Sequence, residues 1–450
     1  MELNKDQEGM SSENNKPQDP NPRFAWEGCS VLLDVNDGDR LVFARLSGGA
    51  ILKIGNKNYS LKPLIGAPFG SLFQVESGEE GSFLSRVLPV KQENNSNNIT
   101  EDSRDNRELV DNNEAQNLTG EEIEAMRREG AKGYEIIEAL IANSKTFDKK
   151  FQLSQEKYKL KKQKKYAPKL LLRRPFARSI CEAYFKKYPA RIGFIRVDAL
   201  SLLLTMANVT AYSDVLVVDM VGGLITGAVA ERLGGTGYVC NTYKGNSPYP
   251  VEMVRMFNFS DKVIERIVQS SINELSSTKT ASSEQNNQQE GVCKAEIDIN
   301  AMQEPSTCDM VVEETPVKAE AIVEDIVVPE SKIIKAPKAG AKASKEAIEM
   351  WQENGFSSLI MAAQDQDPWS LAKDVLPLLS YSAPFAIYHQ YLQPLATCMH
   401  NLQQGKMAIN LQITEPWLRE YQVLPSRSHP HMQMSPFGGY VLSGIRISTT

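Results

Sequence analysis

Histidine and tryptophan are scarce in this chain, at four residues each, and the six cysteines (29, 181, 240, 293, 308 and 398) are scattered. No two cysteines form a CxxC pair and their spacing is irregular, so they frame neither a zinc site nor a set of disulfides; a reducing compartment suits them. The sequence has no P-loop, HExxH or GxSxG pattern. Walker-type phosphoryl transfer, zinc proteolysis and serine hydrolysis therefore have no carrier. Long apolar runs are missing too. The most apolar window, Val215–Ala230, is interrupted by Asp219 and stops at Glu231, too short to cross a bilayer. The first twenty-two residues lack an apolar core, so a secretory signal is not expected.

What is present is charge, unevenly placed. The formal net charge of −6 suggests no affinity for nucleic acid until it is divided along the chain. Residues 1–22 carry −3, residues 92–118 carry −5 and residues 281–330 carry −10, and all three stretches are polar and poor in aromatics, as disordered segments are. The remainder carries +12. Of this, Lys149–Arg178 alone holds twelve Lys and Arg against the single Glu156. The acidic total belongs to tails and loops, and the positive surplus sits in one segment.

The pattern of apolar residues divides the chain into a disordered tail (1–22), a small β domain (23–91), a disordered linker (92–118), a helical and basic segment (119–166), an α/β domain in two parts (167–274 and 346–450), and a disordered acidic insertion between those parts (275–345). In the β domain the runs 30–34, 40–45, 50–54 and 57–61 are broken by Asn36-Asp37-Gly38, Gly48-Gly49 and Gly55-Asn56. These are turn formers, and short strands joined by tight turns predict a small barrel or meander. Thr119-Gly120-Glu121-Glu122 is a capping box, followed by an apolar stripe through Ile123, Met126, Ile136, Ile137, Leu140 and Ile141. A second helix is expected from about Ser154 into the lysines. From Pro168 onward strands and helices alternate: a strand at 170–172, helices at 176–187 and 198–206, a strand at 215–219, a helix ending before Gly235, and a strand at 237–242. Beyond the insertion come strands at 358–361, 385–388 and 408–413, helices at 369–379 and 395–404, and a hairpin-like end over 433–447. That alternation predicts a Rossmann-like, doubly wound sheet.

In such a sheet a ligand meets backbone amides at the glycine turn after the first strand. Here the turn runs Val217-Val218-Asp219-Met220-Val221-Gly222-Gly223-Leu224-Ile225-Thr226-Gly227. An acid ending the strand is the context of a methyl-donor site. An acid-x-Gly-x-Gly-x-Gly spacing, however, would need glycine at Val221, Gly223 and Ile225, and only Gly223 complies. The second strand has Asn241 near its end and no acid to hold a ribose. Scaffold without cofactor is the reading favoured.

The capped helix, Gln155–Tyr158 running into Lys161–Tyr166, this degenerate turn, the string Tyr421-Gln422-Val423-Leu424-Pro425-Ser426-Arg427-Ser428-His429-Pro430 and the string Gly438–Gly444 together resemble the non-catalytic, RNA-binding subunit of the eukaryotic tRNA methyltransferase that makes 1-methyladenosine in the T-loop. The resemblance implies a class I methyltransferase domain with a degenerate cofactor site, and a partner paralogue that alone binds S-adenosylmethionine. It further implies a heterotetramer with tRNA held across both subunit types, and work in the nucleus. The catalytic aspartate of that paralogue has its counterpart at Ala362 or Ala363, with Asp365 and Asp367 close by. A divergent but active methyltransferase using one of those two acids is the alternative.

The candidate RNA contacts are Thr146, Lys150, Lys157, Tyr158, Lys159, Lys161, Lys162, Lys164, Lys165, Arg173, Arg174 and Arg178. A second set follows at Arg419, Tyr421, Arg427, His429, Gly439 and Tyr440. Interleaved lysine and tyrosine can neutralise phosphates and stack on bases; a solvated helix or an import signal at Lys161–Lys165 is the plainer reading. His429-Pro430-His431 lacks further metal ligands nearby, and His389 and His400 are expected to be structural.

Overall fold

The structure, a computed structural model, describes residues 21–55, 57–78, 81–87, 116–148, 150–277, 338–423, 428–435 and 437–448. Expectations for residues 1–20, 88–115 and 278–337, and for Arg427, lie outside the described residues.

The N-terminal strands are β1 (Ser30–Val35), β2 (Arg40–Arg45), β3 (Ile51–Ile54), β4 (Lys57–Ser60), β5 (Leu72–Gly78) and β6 (Gly81–Val87). Asn36, Asp37 and Gly38 adopt positive φ of 56°, 56° and 86° in the four-residue turn between Val35 and Arg40, a conformation that Asn, Asp and Gly tolerate. Three helices follow: α1 (Gly120–Arg128), α2 (Gly133–Ala142) and α3 (Gln152–Tyr166). The capping box at Thr119 is formed in both directions, its hydroxyl accepting from the Glu122 amide while Glu122 accepts from the Thr119 amide. The chain then returns as β7 (Lys169–Arg173), which enters the middle of the first sheet, in the order β2-β1-β7-β5-β6. This corrects the expectation that 170–172 begins the α/β domain. Leu170 and Leu172 point into the β-domain core with Val31, Leu33 and Phe73, and β7 pairs antiparallel with both β1 and β5. Strands β3 and β4 form a separate ribbon.

The second domain contains α4 (Ala177–Lys187), α5 (Val197–Met206), β8 (Asp214–Asp219), α6 (Leu224–Leu233), β9 (Tyr238–Tyr243), α7 (Asp261–Ile264), β10 (Ile267–Ser271), α8 (Ile272–Ser276), β11 (Ala341–Lys342), α9 (Lys345–Asn354), β12 (Ser358–Ala362), α10 (Pro368–Val375), β13 (Pro384–His389), α11 (Leu392–Gln404) and β14 (Ala408–Thr414). Two short strands, β15 (Tyr421–Gln422) and β16 (His429–Pro430), precede β17 (Tyr440–Arg446). The sheet runs β11-β10-β9-β8-β12-β13-β17-β14, parallel except for β17, which lies antiparallel to β13 and β14. Strand β8 shows why it is central. Val215 and Val217 face one core while Leu216 and Val218 face the other, so both sides of the strand must be covered. The predicted 433–447 hairpin is instead β17 alone, inserted between β13 and β14. The stop of α6 is Gly234, at φ 63°, one residue before the expected glycine.

The domains meet directly. Asn258 accepts from the Ser30 amide and donates to the Ser30 carbonyl, both at 2.7 Å. The Phe43 and Tyr184 rings lie 5.5 Å apart across the same contact.

Candidate nucleotide turn and candidate nucleic-acid interface

The strand order reverses between β8 and β12, which puts the turn after Asp219 at the place where open α/β sheets bind ligands. The turn is closed. Asp219 is fully buried, and one carboxylate oxygen accepts from the amides of Val221 (2.9 Å) and Gly223 (3.1 Å). The other accepts from the Thr226 amide (2.8 Å) and hydroxyl (2.9 Å). The Val221, Gly223 and Thr226 amides are thus already taken. Burial pushes the Asp219 carboxyl up from its ordinary value, against the pull of those donors.

Space is taken as well. Residues Glu252–Phe257 form a 3-10 turn laid over the loop, and the Met253 amide donates to the Gly222 carbonyl at 3.0 Å. A Cβ on Gly223 would come within 2.7 Å of the Val251 backbone, and one on Gly222 within 2.9 Å of the Met253 methyl. Both glycines sit at positive φ, 91° and 74°. Their conformation lets this plug approach, where in a cofactor site it would let the cofactor approach. Val221 and Ile225 are buried in the core. The Asn241 side-chain Oδ1 accepts from the Asp219 amide at 3.3 Å, and its buried Nδ2 has no partner. Strand β9 ends without an acid, and Val251–Phe257 packs directly on the two glycines of the turn. The plug, Val251–Phe257, went unread in the sequence. Its signal was the cluster Met253, Val254, Met256 and Phe257 after a polar loop.

At the end of β12, Ala362 and Ala363 are buried, and the Gln364 side chain donates to the Gly193 carbonyl. Asp365 is exposed. Asp367 caps α10 by accepting from the Ser370 amide at 2.9 Å, the task of any N-cap acid.

The basic stretch is built the other way, outward from a small core. Ile136 and Leu140 of α2 are buried against α3. The aromatic rings carry lysines: Lys159 lies 5.5 Å from the Phe147 centroid, Lys150 and Lys162 lie 5.4 and 5.1 Å from Tyr158, and Lys165 lies 5.2 Å from Tyr166. Lys157, Lys159, Lys161 and Lys165 are exposed. Other candidates are committed within the chain. Lys164 pairs with Asp39 at 2.8 Å, Arg173 with Asp34 at 3.3 Å and Arg178 with Glu182 at 2.7 Å. Arg174 is exposed, beside Glu231. The Thr146 hydroxyl is buried and unpartnered, so it presents no hydroxyl to RNA.

The C-terminal arm is anchored at its base. Arg196, only 5% exposed, is bidentate to Asp198 (2.8 Å twice) and donates to the carbonyls of Pro416, Ser435 and Phe437. Asp198 in turn accepts from the Leu418 amide at 3.0 Å. Beyond this clamp Tyr421 and His429 are exposed, and the Arg419 guanidinium stacks 3.6 Å over the exposed Trp417. Gly439 is a packing residue, since a Cβ there would meet the Tyr388 ring at 2.4 Å. Tyr440 is half-buried beside Phe437. His389 is buried, bonded to Tyr391, as expected, whereas His400 is exposed on α11. No group of three metal-ligating side chains occurs among the described residues.

The Gcd10p family model matches residues 26–303. The chain is 32% identical to the tRNA (adenine(58)-N(1))-methyltransferase non-catalytic subunit trm6 of Dictyostelium discoideum, over 94% of this chain and 79% of that protein. It is 31% identical to the subunit of that name from Mus musculus, over 92% and 88%. Among solved structures, the tRNA (m1A58) methyltransferase TrmI of Aquifex aeolicus aligns over 95% of this chain and 100% of its own, with 11% identity and a TM-score of 0.42.

Proposed function

The chain belongs to the Gcd10p family and is a non-catalytic subunit of a tRNA (adenine(58)-N(1))-methyltransferase, and we propose the part it plays there: it scaffolds a catalytic, S-adenosylmethionine-binding paralogue and clamps tRNA through its basic segment and C-terminal arm. The observation that carries this reading is the closed turn. Asp219 takes up the turn amides, and Val251–Phe257 fills the volume a cofactor would need. A chain that keeps the sheet but has packed its switch point solid contributes surface, and the surface with surplus positive charge is α3.

In this assembly the lysines of α3 neutralise tRNA phosphates, with affinity that falls as salt rises. The arm, held at its base by Arg196, offers Arg419, Tyr421 and His429 to the same RNA. The pair assembles as a heterotetramer and works in the nucleus, with Lys161–Lys165 also serving as the import signal.

The test is methyl transfer to a tRNA transcript by each subunit alone and by the two combined, with calorimetry of S-adenosylmethionine on this chain. Activity is expected only from the combination, with no heat of cofactor binding here. Methylation by this chain alone, or micromolar cofactor binding to it, overturns the reading.

A further inference from the structure

Between the helical segment and the β domain lies a cleft of about 560 Å³, of whose lining the proposed role uses only Lys164 and Lys165. Its floor is apolar, formed by Val35, Ile54 and Ile136 among others. Its rim is basic: Arg40 and Lys57 come from the β domain, and Arg127, Lys164 and Lys165 from the helices. Two carboxylates, Asp39 and Glu124, also line it, and Asp39 is already paired with Lys164 at 2.8 Å. Leaving Lys57 aside, Arg40, Arg127, Lys164 and Lys165 still outnumber the two carboxylates in the lining. Two aromatic residues, Tyr59 and Tyr166, line it, and the Arg127 guanidinium carbon and the Lys165 ammonium each lie 5.2 Å from the Tyr166 centroid.

The walls are held where they are. A Cβ on Gly133 would come within 2.4 Å of the Tyr166 carbonyl oxygen, so the start of α2 touches the end of α3 with no slack. The Asn36 side-chain Nδ2 donates to the Lys164 carbonyl at 3.2 Å and its Oδ1 accepts from the Lys169 amide at 3.0 Å, tying α3 to the β1–β2 turn. A cavity of a few hundred Å³ with an apolar floor and a few convergent cations is the form of a small-ligand site. An aromatic ring inside a basic groove is the form in which single-stranded RNA is held, base on ring and phosphate on cation.

We infer that this cleft binds one unstacked nucleotide of the RNA, its base laid against Tyr166 and the apolar floor and its flanking phosphates met by Arg40 and Arg127. The inference rests on the RNA-clamping role proposed above and assigns it a pocket, distinct from the outer face of α3. Recognition here is by stacking and charge, so it tolerates any base.

The experiment uses the full chain in complex with its catalytic partner and a tRNA transcript, titrated by fluorescence anisotropy over a range of salt. Tyr166→Ala is expected to weaken binding about tenfold with the salt slope unchanged, while Tyr166→Phe stays within about twofold. Arg40→Glu with Arg127→Glu is expected to lower the salt slope by roughly one to two. Lys157→Glu with Lys161→Glu, on the outer face, is the comparison. Equal binding by the Ala and Phe variants, or an unchanged slope in the double arginine variant, overturns the cleft. If the outer-face pair still weakens binding, the clamping role survives that result. If no substitution on this chain alters tRNA affinity, the clamping role itself is lost. Because a cleft variant can fail to fold, the unsubstituted complex is also crosslinked to tRNA carrying 4-thiouridine. Adducts on the peptides around Arg127 or Tyr166 support the cleft, and adducts confined to other peptides overturn it.

Discussion

The turn after β8 and the helix α3 are the two places where this sequence looks functional, and they are built in opposite senses. In the turn every polar group aims inward: Asp219 is fully buried and accepts four hydrogen bonds from its own loop. On α3 the apolar groups are few, and rings serve as supports beneath exposed ammonium groups. A buried carboxylate must be satisfied by the chain that buries it, which leaves it nothing to offer a ligand. An exposed lysine has no such obligation. The difference teaches that a ligand-site motif retained without its open amides is a folding device.

The largest expected effect breaks the closed region. Gly223→Ala sets a Cβ 2.7 Å from the Val251 backbone at a φ of 91°, and should cost about 3 kcal/mol or more, seen as a lowered midpoint in urea unfolding. Next comes Asp219→Asn, whose amide turns donors toward donors; a loss of about 2 kcal/mol is expected with tRNA affinity unchanged in the assembled complex. A change in RNA binding there would mean the turn is not merely structural.

Reversal of Lys161, Lys162, Lys164 and Lys165 addresses the open region. It should weaken tRNA binding by about tenfold, some 1.4 kcal/mol, and lower the salt slope. An unchanged slope would mark the run as a solvated face or a targeting signal. Smaller still, Asp367→Ala removes a cap worth about 1 kcal/mol and should leave methyl transfer by the complex unaffected once the complex is assembled. Lost activity in a folded variant would revive a catalytic role for that acid.

The smallest effect concerns the arm and pH. Burial of Asp198 opposes its ionisation, but the Arg196 guanidinium and the amides of Ala199 and Leu418 outweigh it and hold the carboxyl below its ordinary value. A folded-state value below the unfolded one adds stability that is fully present above the usual aspartate range. That stability is lost as pH falls through the lowered value. The arm should resist pepsin at about pH 5 and yield to it only below about pH 4, and Arg196→Lys should raise its susceptibility at both. A transition near neutrality would show that Asp198 does not set the clamp.

Local features were plain in the sequence because local chemistry makes them. The strand at Arg40–Arg45, the Thr119 capping box and the strand ending in Asp219 fall where their turn formers, cap oxygen and apolar alternation put them. The departures from a glycine-turn motif were also legible, at Val221, Ile225 and Asn241, and the structure buries all three. Features that join distant residues were not. Leu170–Leu172 reads as a strand in either domain, and only pairing with β1 and β5 assigns it to the first. Nor does an Arg-x-Asp pair announce that it holds segments some 220 residues away.

The sequence by itself determined the alternation of strands and helices, the charge-rich helix and the departure from a glycine-turn motif, since each depends on residues within a few positions of one another. Only the tertiary structure decided that Val251–Phe257 closes that turn, that Arg196 fastens the arm, and that α3 meets the β domain around a basic cleft. Those outcomes depend on which apolar faces cover which, and packing between segments far apart in the chain is set by shape and volume that no local pattern records.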